Sequence, residues 1–326
     1  LTMAQMGGVL VMAVGIPGLF EGKFTAGIVG YVVMRLALCA QWLRAARGDP
    51  LRRRTCLRYA GGVALVQVGW VLYLLAVNAG MLSGSVMWAL MVVGWVCELA
   101  VPVWAERAGE TPWHAHHIAE RYSLMLIIVL GECVLGATND VAALHEAQGW
   151  SFDLALMGFA GTLLIFCLWW MYFLLPSADA LHHHRERAWG WGYGHYVLFA
   201  SVAAIGAGLE VVADVLKSGL DAAGAHAAGA APGHGVSALQ AIGVIALAEG
   251  VFVVSLWALY CYVSRALDRQ VVVVLAFLGL TALGPLAVAH GLPLPWGLLL
   301  LCAGPLMAIA YNEHGRLHRA ERMAPR

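Results

Sequence analysis

The sequence predicts an all-α protein, a polytopic transmembrane helical bundle of about ten spans. Hydrophobic residues make up 61% of the chain and charged residues 12%, whereas a soluble domain carries roughly 25% charged residues. The apolar segments also follow one another through short connections, which leave no room for a water-soluble core. We therefore expect one integral membrane domain over residues 1–326.

Each span is predicted where an apolar stretch is long enough to cross the hydrocarbon, which takes about 20 helical residues. Ten such stretches occur, at residues 3–20, 25–45, 55–77, 85–105, 117–138, 152–175, 194–216, 237–262, 270–290 and 294–312. The segment from Gly291 to Pro295 is short enough for a tight hairpin or a re-entrant turn. The Gly-, Ala- and His-rich connection from Ser218 to Gly235 is predicted to be a flexible external loop.

The basic residues predict the orientation of the spans, because Lys and Arg concentrate on the cytoplasmic side of membrane proteins. With ten spans, Lys23 and Lys217 fall on one side and Arg35 falls inside a span. All other basic residues fall on the opposite side: Arg44, Arg47, Arg52, Arg53, Arg54, Arg58, Arg107, Arg121, Arg185, Arg187, Arg265, Arg269, Arg316, Arg319, Arg322 and Arg326. Both termini of this chain are then predicted to be cytoplasmic.

A parallel helix-pair repeat is a further hypothesis. The stretches Leu168–Tyr172 and Leu256–Tyr260 share the pattern Leu-Trp-x-x-Tyr, and both end spans that enter the basic side. Each follows a helix that carries an acid, Glu132 in the first case and Glu210 in the second. The two helix pairs would therefore run in the same direction.

Ionisable side chains deep in the spans are the candidates for chemistry. They are Arg35, Glu98, Glu132, Glu210 and Glu249, with Asp214 one turn beyond Glu210. Such groups are costly in hydrocarbon, so they normally face protein or a wet cavity. We expect Arg35 to lie within salt-bridge reach of at least one of these glutamates.

Two interpretations of these acids stay open. Either Arg35 pairs with one of them and the rest are hydrogen-bonded plugs that fix helix packing, or the surplus of buried acid carries protons or a small cation. Glu132 is the leading candidate for a functional carboxylate and is expected to be buried. The preceding Gly131 would let a neighbouring backbone approach, and the run from Ile127 to Leu130 offers no polar partner in the same helix.

The histidines form two clusters on the basic side, at residues 114, 116 and 117 and at residues 182–184. His116, His117 and His183 are the candidates for metal ligands, and the two clusters could meet. Histidines beside Arg and Trp are nevertheless ordinary membrane-boundary residues, so no metal site is predicted. Glu120 and Arg121 are expected to form an ion pair at the boundary rather than a catalytic pair.

Several of these residues also carry a family resemblance. The run Ala119-Glu-Arg-Tyr-Ser-Leu124 followed by Ile127-Ile-Val-Leu-Gly-Glu132 resembles the signature helix of the low-temperature-requirement protein A (LtrA) family of bacterial multi-pass membrane proteins. Looser matches occur at Met3–Met6, at Leu168–Tyr172 and at Tyr311-Asn312. The resemblance implies a fold class but no reaction, and it implies that N-terminal helices of the family are missing here.

Three classes of function are compatible with these features. The first is a proton- or cation-coupled transporter-like protein of the bacterial cytoplasmic membrane, and the alternative is a non-catalytic membrane-homeostasis protein linked to growth at low temperature. An intramembrane enzyme is disfavoured because the chain lacks the His-Glu-x-x-His, phosphate-loop and Gly-x-Ser-x-Gly motifs. The expected partners are the lipid bilayer and protons, a small cation or a solute; no cofactor and no nucleic acid are expected.

Overall fold

The computed structural model describes the backbone of residues 1–227, 235–265 and 270–323, and side chains as far as residues 218 and 315 in the first and last of these ranges. The described chain is helical, with no strand. Ten helical segments are long and apolar enough to cross a membrane, which confirms the predicted fold class. The chain divides into two compact units, Leu1–Pro112 and Trp113–Arg326. The single integral domain over residues 1–326 stays a prediction.

Unit 1 consists of four helices, each of spanning length. They are α1 (Thr2–Phe20), α2 (Thr25–Gly48), α3 (Arg53–Asn78) and α4 (Gly84–Glu106). Glycines bring α1 and α2 into backbone contact, because a Cβ placed on Gly30 would lie 2.6 Å from the carbonyl oxygen of Gly8. Such close approach through small residues is a usual way for membrane helices to pack.

Unit 2 contains the remaining nine α-helices of the described chain. They are α5 (Ala115–Gln148), α6 (Phe152–Phe173), α7 (Ser177–His183), α8 (Ala188–Ala227), α9 (Ala238–Ser264), α10 (Val271–Thr281), α11 (Leu283–Ala289), α12 (Leu294–Leu301) and α13 (Ala303–Met323). One apolar core joins α5, α6, α8, α9, α10, α12 and α13. We call the end of unit 2 that carries Arg185, Arg187 and Arg265 its basic end.

The α8 helix corrects one prediction about the loops. The connection from Ser218 to Gly235 was expected to be a flexible loop, but α8 continues to Ala227, and residues 228–234 of this prediction lie outside the described residues. Four of the ten residues from 218 to 227 are Ala, the residue that favours helix most, so the helix extends past the apolar stretch. Composition alone did not reveal this continuation.

The last two spans form a hairpin of interrupted helices. Ala282 separates α10 from α11 and Cys302 separates α12 from α13, while Gly291 supplies the positive φ of the connecting turn. Pro285 and Pro305 follow the two interruptions by three residues. A proline has no N–H to donate to the carbonyl four residues earlier, which explains why each helix is interrupted at this point.

Candidate functional site

A charged pair lies between the helices of unit 1. The guanidinium of Arg35 on α2 donates to Oε2 of Glu98 on α4 over 2.6 Å, and Gln67 on α3 donates to Oε1 of the same carboxylate over 2.6 Å. Arg35 also donates to the hydroxyl of Tyr31 over 2.9 Å. Glu98 is buried, so its charge is neutralised inside the unit. The prediction that Arg35 pairs with a glutamate is confirmed, whereas Gln67 and Tyr31 were missed because uncharged side chains gave no signal.

Glu249 occupies a different environment in the core of unit 2. Its side chain is fully buried on α9, and Oε1 accepts a hydrogen bond from the Thr281 hydroxyl over 3.3 Å. Oε2 has no hydrogen-bond partner in the described part of the chain. Among the described residues, the ionisable groups within electrostatic range of it are the thiols of Cys167 and Cys302. Among the described residues, no ion pair neutralises this carboxyl group.

The interrupted helices lie directly against Glu249. Thr281, which donates to the carboxyl group, is the last residue of α10. A Cβ on Gly304 would lie 2.8 Å from the Thr281 hydroxyl oxygen, so the start of α13 packs at the same level. Pro285 and Pro305 deprive the carbonyl oxygens of Thr281 and Leu301 of their usual helical donors. The core of unit 2 therefore combines an uncompensated carboxyl group with locally broken backbone, as ion sites of transporters do.

Four further acids on α5 and α8 lie elsewhere in unit 2, three of them exposed, whereas Asp140 is half-buried and its Oδ2 has no hydrogen-bond partner in the described part of the chain. A Cβ on Gly136 of α5 would lie 2.9 Å from Oε1 of Glu210 on α8. Asp140 on α5 is within electrostatic range of Glu210 and Asp214. Both residues on α8 are exposed. We call Glu132, Asp140, Glu210 and Asp214 the acidic face.

The expected environment of Glu132 is wrong in two respects. Its side chain is exposed, because the buried face of α5 is the one carrying Leu126, Leu130 and Cys133. Consecutive helical residues point about 100° apart, so burying Cys133 turns Glu132 outward. In addition, a Cβ on Gly131 would meet nothing within 4 Å, so no neighbouring backbone approaches there.

The histidine clusters meet at the basic end of unit 2. The rings of His116 and His182 lie 5.7 Å apart, and Nε2 of His116 is 3.4 Å from the carboxylate of Asp179. His183 donates from Nδ1 to the carbonyl oxygen of Asp179 over 2.7 Å. No group of three or more possible ligands is arranged to hold a metal ion among the described residues.

The Glu120–Arg121 ion pair is not formed. Glu120 instead lies 3.6 Å from Nδ1 of His117, one turn earlier on α5. Neighbouring residues of a helix do not face each other, whereas residues three apart do, and this spacing explains the different partner.

A buried histidine that the sequence analysis missed lies under the basic end. Nδ1 of His195 donates to the carbonyl oxygen of Trp191 over 2.8 Å, so Nε2 is free to accept from the Tyr172 hydroxyl over 3.1 Å. The ring also lies edge-on to Tyr122, with centroids 4.8 Å apart. Tyr172 is the last residue of the first Leu-Trp-x-x-Tyr stretch. Its side chain therefore makes a buried hydrogen bond, which the sequence pattern did not reveal.

Comparison with known proteins assigns the chain to a family. It matches the profile described as "Bacterial low temperature requirement A protein (LtrA)" over residues 1–306. It is also 28% identical over 188 residues to an uncharacterized protein of Rhizobium meliloti, which covers 55% of this chain and 42% of that protein. The chain thus spans less than half the length of this curated relative, and no solved structure matches. The protein belongs to the LtrA family of bacterial multi-pass membrane proteins.

Proposed function

We propose that the protein is a transporter-like membrane protein coupled to a proton or a small cation, with Glu249 as its internal carboxyl group. The observation that carries the proposal is the environment of Glu249, which is fully buried, has one neutral hydrogen-bond donor and has an unpartnered oxygen. Hydrocarbon-like surroundings tolerate the neutral acid far better than the isolated anion. Binding and release of a cation or proton is the chemistry available to such a group.

Binding and release of an ion also require a backbone that can change locally, and the interrupted helices supply it. Helices with unsatisfied carbonyl groups beside a buried acid are typical of sites that bind and release ions near the bilayer midplane. At 1.5 Å per residue, Glu249 lies about 16 Å along α9 from Ala238 and about 22 Å from Ser264. This depth supports a site inside the hydrocarbon rather than at its edge.

The acidic face has a subsidiary role in this proposal. Among the described residues, the four carboxylates of the acidic face have no basic partner, so they attract cations and repel anions. Glu132 stays a candidate proton carrier, although its exposed position makes Glu249 the stronger assignment. We further propose that the protein resides in the bacterial cytoplasmic membrane with both termini of this chain in the cytoplasm.

Ion flux into liposomes tests the proposal. Purified protein is reconstituted, a pH gradient is imposed, and proton and monovalent-cation movement are followed for the wild type, Glu249→Gln and Glu132→Gln. Glu249→Gln retains the shape and an acceptor for Thr281 but cannot ionise, so flux should be lost while the melting temperature stays nearly unchanged. Unchanged flux in both variants would contradict the proposal. Loss of flux in Glu132→Gln but not in Glu249→Gln would instead identify Glu132 on α5 as the functional carboxylate.

Unit 1 gives specific support to the alternative, a non-catalytic membrane-homeostasis protein. Its buried acid is already satisfied by Arg35 and Gln67, as expected of a packing device rather than a carrier. A helical bundle that only shapes the membrane would lack gradient-driven flux in every variant. The liposome experiment therefore separates the two functions.

A further inference from the structure

A small cavity lies between α6, α9, α10 and α13 in unit 2. Its volume is about 40 Å³, and its lining includes Trp257, Gln270 and Asn312 toward the basic end and Val253, Val274 and Ala308 deeper inside. A site needs about 10–15 Å³ for one water molecule, so this cavity has room for more than one. The amide of Gln270 donates to Oδ1 of Asn312 over 3.1 Å at its outer end.

The lining includes a polar group that needs a partner. The indole nitrogen of Trp257 is buried and has no hydrogen-bond partner in the described part of the chain. A buried donor without a protein partner is normally satisfied by water. Together with the amides of Gln270 and Asn312, it gives water molecules in the cavity several polar contacts.

The inner end of the cavity lies on the side of Glu249 that faces the basic end. Glu249 is itself on α9, and two other helices that line the cavity supply neighbours of its carboxyl group, Cys167 on α6 and Thr281 on α10. Along α9, Glu249 is four residues beyond Val253, which corresponds to about 6 Å. One helical turn of apolar packing thus separates the inner end of the cavity from the carboxyl group.

The other side of Glu249 is closed by tight packing. A Cβ on Gly284 of α11 would lie 2.9 Å from the carbonyl oxygen of Gly297 on α12, and a Cβ on Gly297 would lie 2.7 Å from Ile242. At this crossing the backbones of α11 and α12 are in direct contact, and Ile242 of α9 packs against it. The surroundings of Glu249 are therefore asymmetric along the membrane normal.

We propose that the cavity between α6, α9, α10 and α13 is the water-filled entry route by which a proton or small cation reaches Glu249 from the basic end of unit 2. This inference rests on the proposed function. The side chains of Val253 and Val274 form the apolar barrier that must part for the last step. In this arrangement the unit is closed toward the hairpin turn and nearly open toward the basic end.

Cysteine accessibility tests the route without any transport measurement. The full chain carrying Val274→Cys is placed in lipid nanodiscs and treated with a positively charged methanethiosulfonate reagent, and modification is located by peptide mass spectrometry against the parent protein. Leu275→Cys is the matched control, since Leu275 follows Val274 on the same helix, lies deeper from the basic end and is 63% exposed on the outer face. Because a thiol that faces lipid has no water to support the reactive thiolate, whereas a thiol that lines a hydrated cavity does, Val274→Cys should react at least about tenfold faster than Leu275→Cys.

A filling variant adds a second criterion. Ala308→Phe occupies the cavity and should slow the modification of Val274→Cys at least about tenfold, because the barrier to entry is steric. Equal rates at Val274→Cys and Leu275→Cys, or unchanged modification after filling, would overturn the route. If Val274→Cys does not fold, Val253→Cys takes its place with the same expected outcomes. If flux survives in Glu249→Gln, the proposed function is contradicted, but the labelling result is unaffected. Failure of the proposed function and failure of the entry route are therefore distinguishable.

Discussion

Glu98 and Glu249 are both buried, yet their neighbours give them opposite properties. Glu98 is bonded to Arg35 and Gln67, so its negative charge is balanced within unit 1. Glu249 accepts from one hydroxyl group and has only two thiols within electrostatic range among the described residues, so nothing in these surroundings balances a charge. The first carboxyl group is suited to holding helices together, and the second is suited to exchanging a proton or cation.

We predict that breaking the pair in unit 1 destabilises the protein. Arg35→Leu leaves Glu98 buried without a positive partner, which should lower the free energy of unfolding by about 3–5 kcal/mol. Arg35→Leu combined with Glu98→Leu removes both charges and should recover most of this loss. Thermal unfolding of the three proteins in one detergent measures the difference. A double variant as unstable as Arg35→Leu would contradict the pairing.

At the residue scale, the sequence predicted which side chains are chemically unusual but not which of them meet. Charge balance alone required a partner for Arg35, and that partner is Glu98. The expectation that Glu132 is buried was wrong, because the 3.6-residue period of α5 was not used to decide which face of the helix is buried. Gln67 and His195 became visible only through their contacts with helices distant in sequence.

The glycines of the helices differ sharply in what surrounds them, and this difference gives a matched pair of variants. A Cβ on Gly30 would lie within 2.6 Å of a backbone atom of α1, whereas a Cβ on Gly61 would meet nothing within 4 Å. Gly30→Ala should therefore lower the melting temperature strongly by separating α1 from α2. Gly61→Ala should leave it unchanged or raise stability by up to about 1 kcal/mol through helix propensity. Similar melting of the two variants would argue against the close α1–α2 contact.

The prolines of the helices offer a second comparison. Pro285→Ala restores a backbone donor to Thr281, so stability should be unchanged or raised by up to about 3 kcal/mol, while flux should fall because α10 and α11 become one stiffer helix. Pro102→Ala in α4 makes the same local change in unit 1 and should leave flux unaffected. The liposome assay and thermal unfolding compare the two variants. Equal flux in both would show that the interruption beside Glu249 has no part in transport.

At the scale of elements, hydropathy predicted the number of spans well and their ends less well. Apolar stretches mark where helices lie in lipid, but α5 and α8 continue as polar helices for ten residues or more past the predicted ends. The interruptions at Ala282 and Cys302 were also missed. Pro285 and Pro305 were the available signal, since each occurs inside an otherwise continuous apolar run.

For the whole molecule, the arrangement of helices in unit 2 agrees with the direction expected from the repeat. Tyr122 meets His195 near the basic end, and farther along the same two helices Gly136 meets Glu210. The residue numbers of the contacting pairs increase along both helices in the same direction, so α5 and α8 run parallel. A common origin of the two helix pairs stays a prediction, as does the placement of the termini.

Reporter fusions test the predicted topology. Fusions after Gly48 and after Arg187 should report a cytoplasmic location, and fusions after Gly80 and after Gly291 should report the opposite side. The reason is the one-sided distribution of arginine over short connections. One reversed site in this series would refute the ten-span topology. An even number of crossings fixes both termini of this chain on the same side.

The lengths of α5 and α8 have a practical consequence for imaging. With 34 and 40 residues, they measure about 51 and 60 Å, well beyond the roughly 30 Å of hydrocarbon that they cross. At the end opposite the basic end, α5 packs through the buried Leu144 and presents Asn139 and Glu146 on its exposed side. A rigid polar helix of this kind is a handle for antibody fragments. Such a fragment would add the asymmetric mass that lets electron microscopy align a small particle otherwise hidden in its detergent micelle.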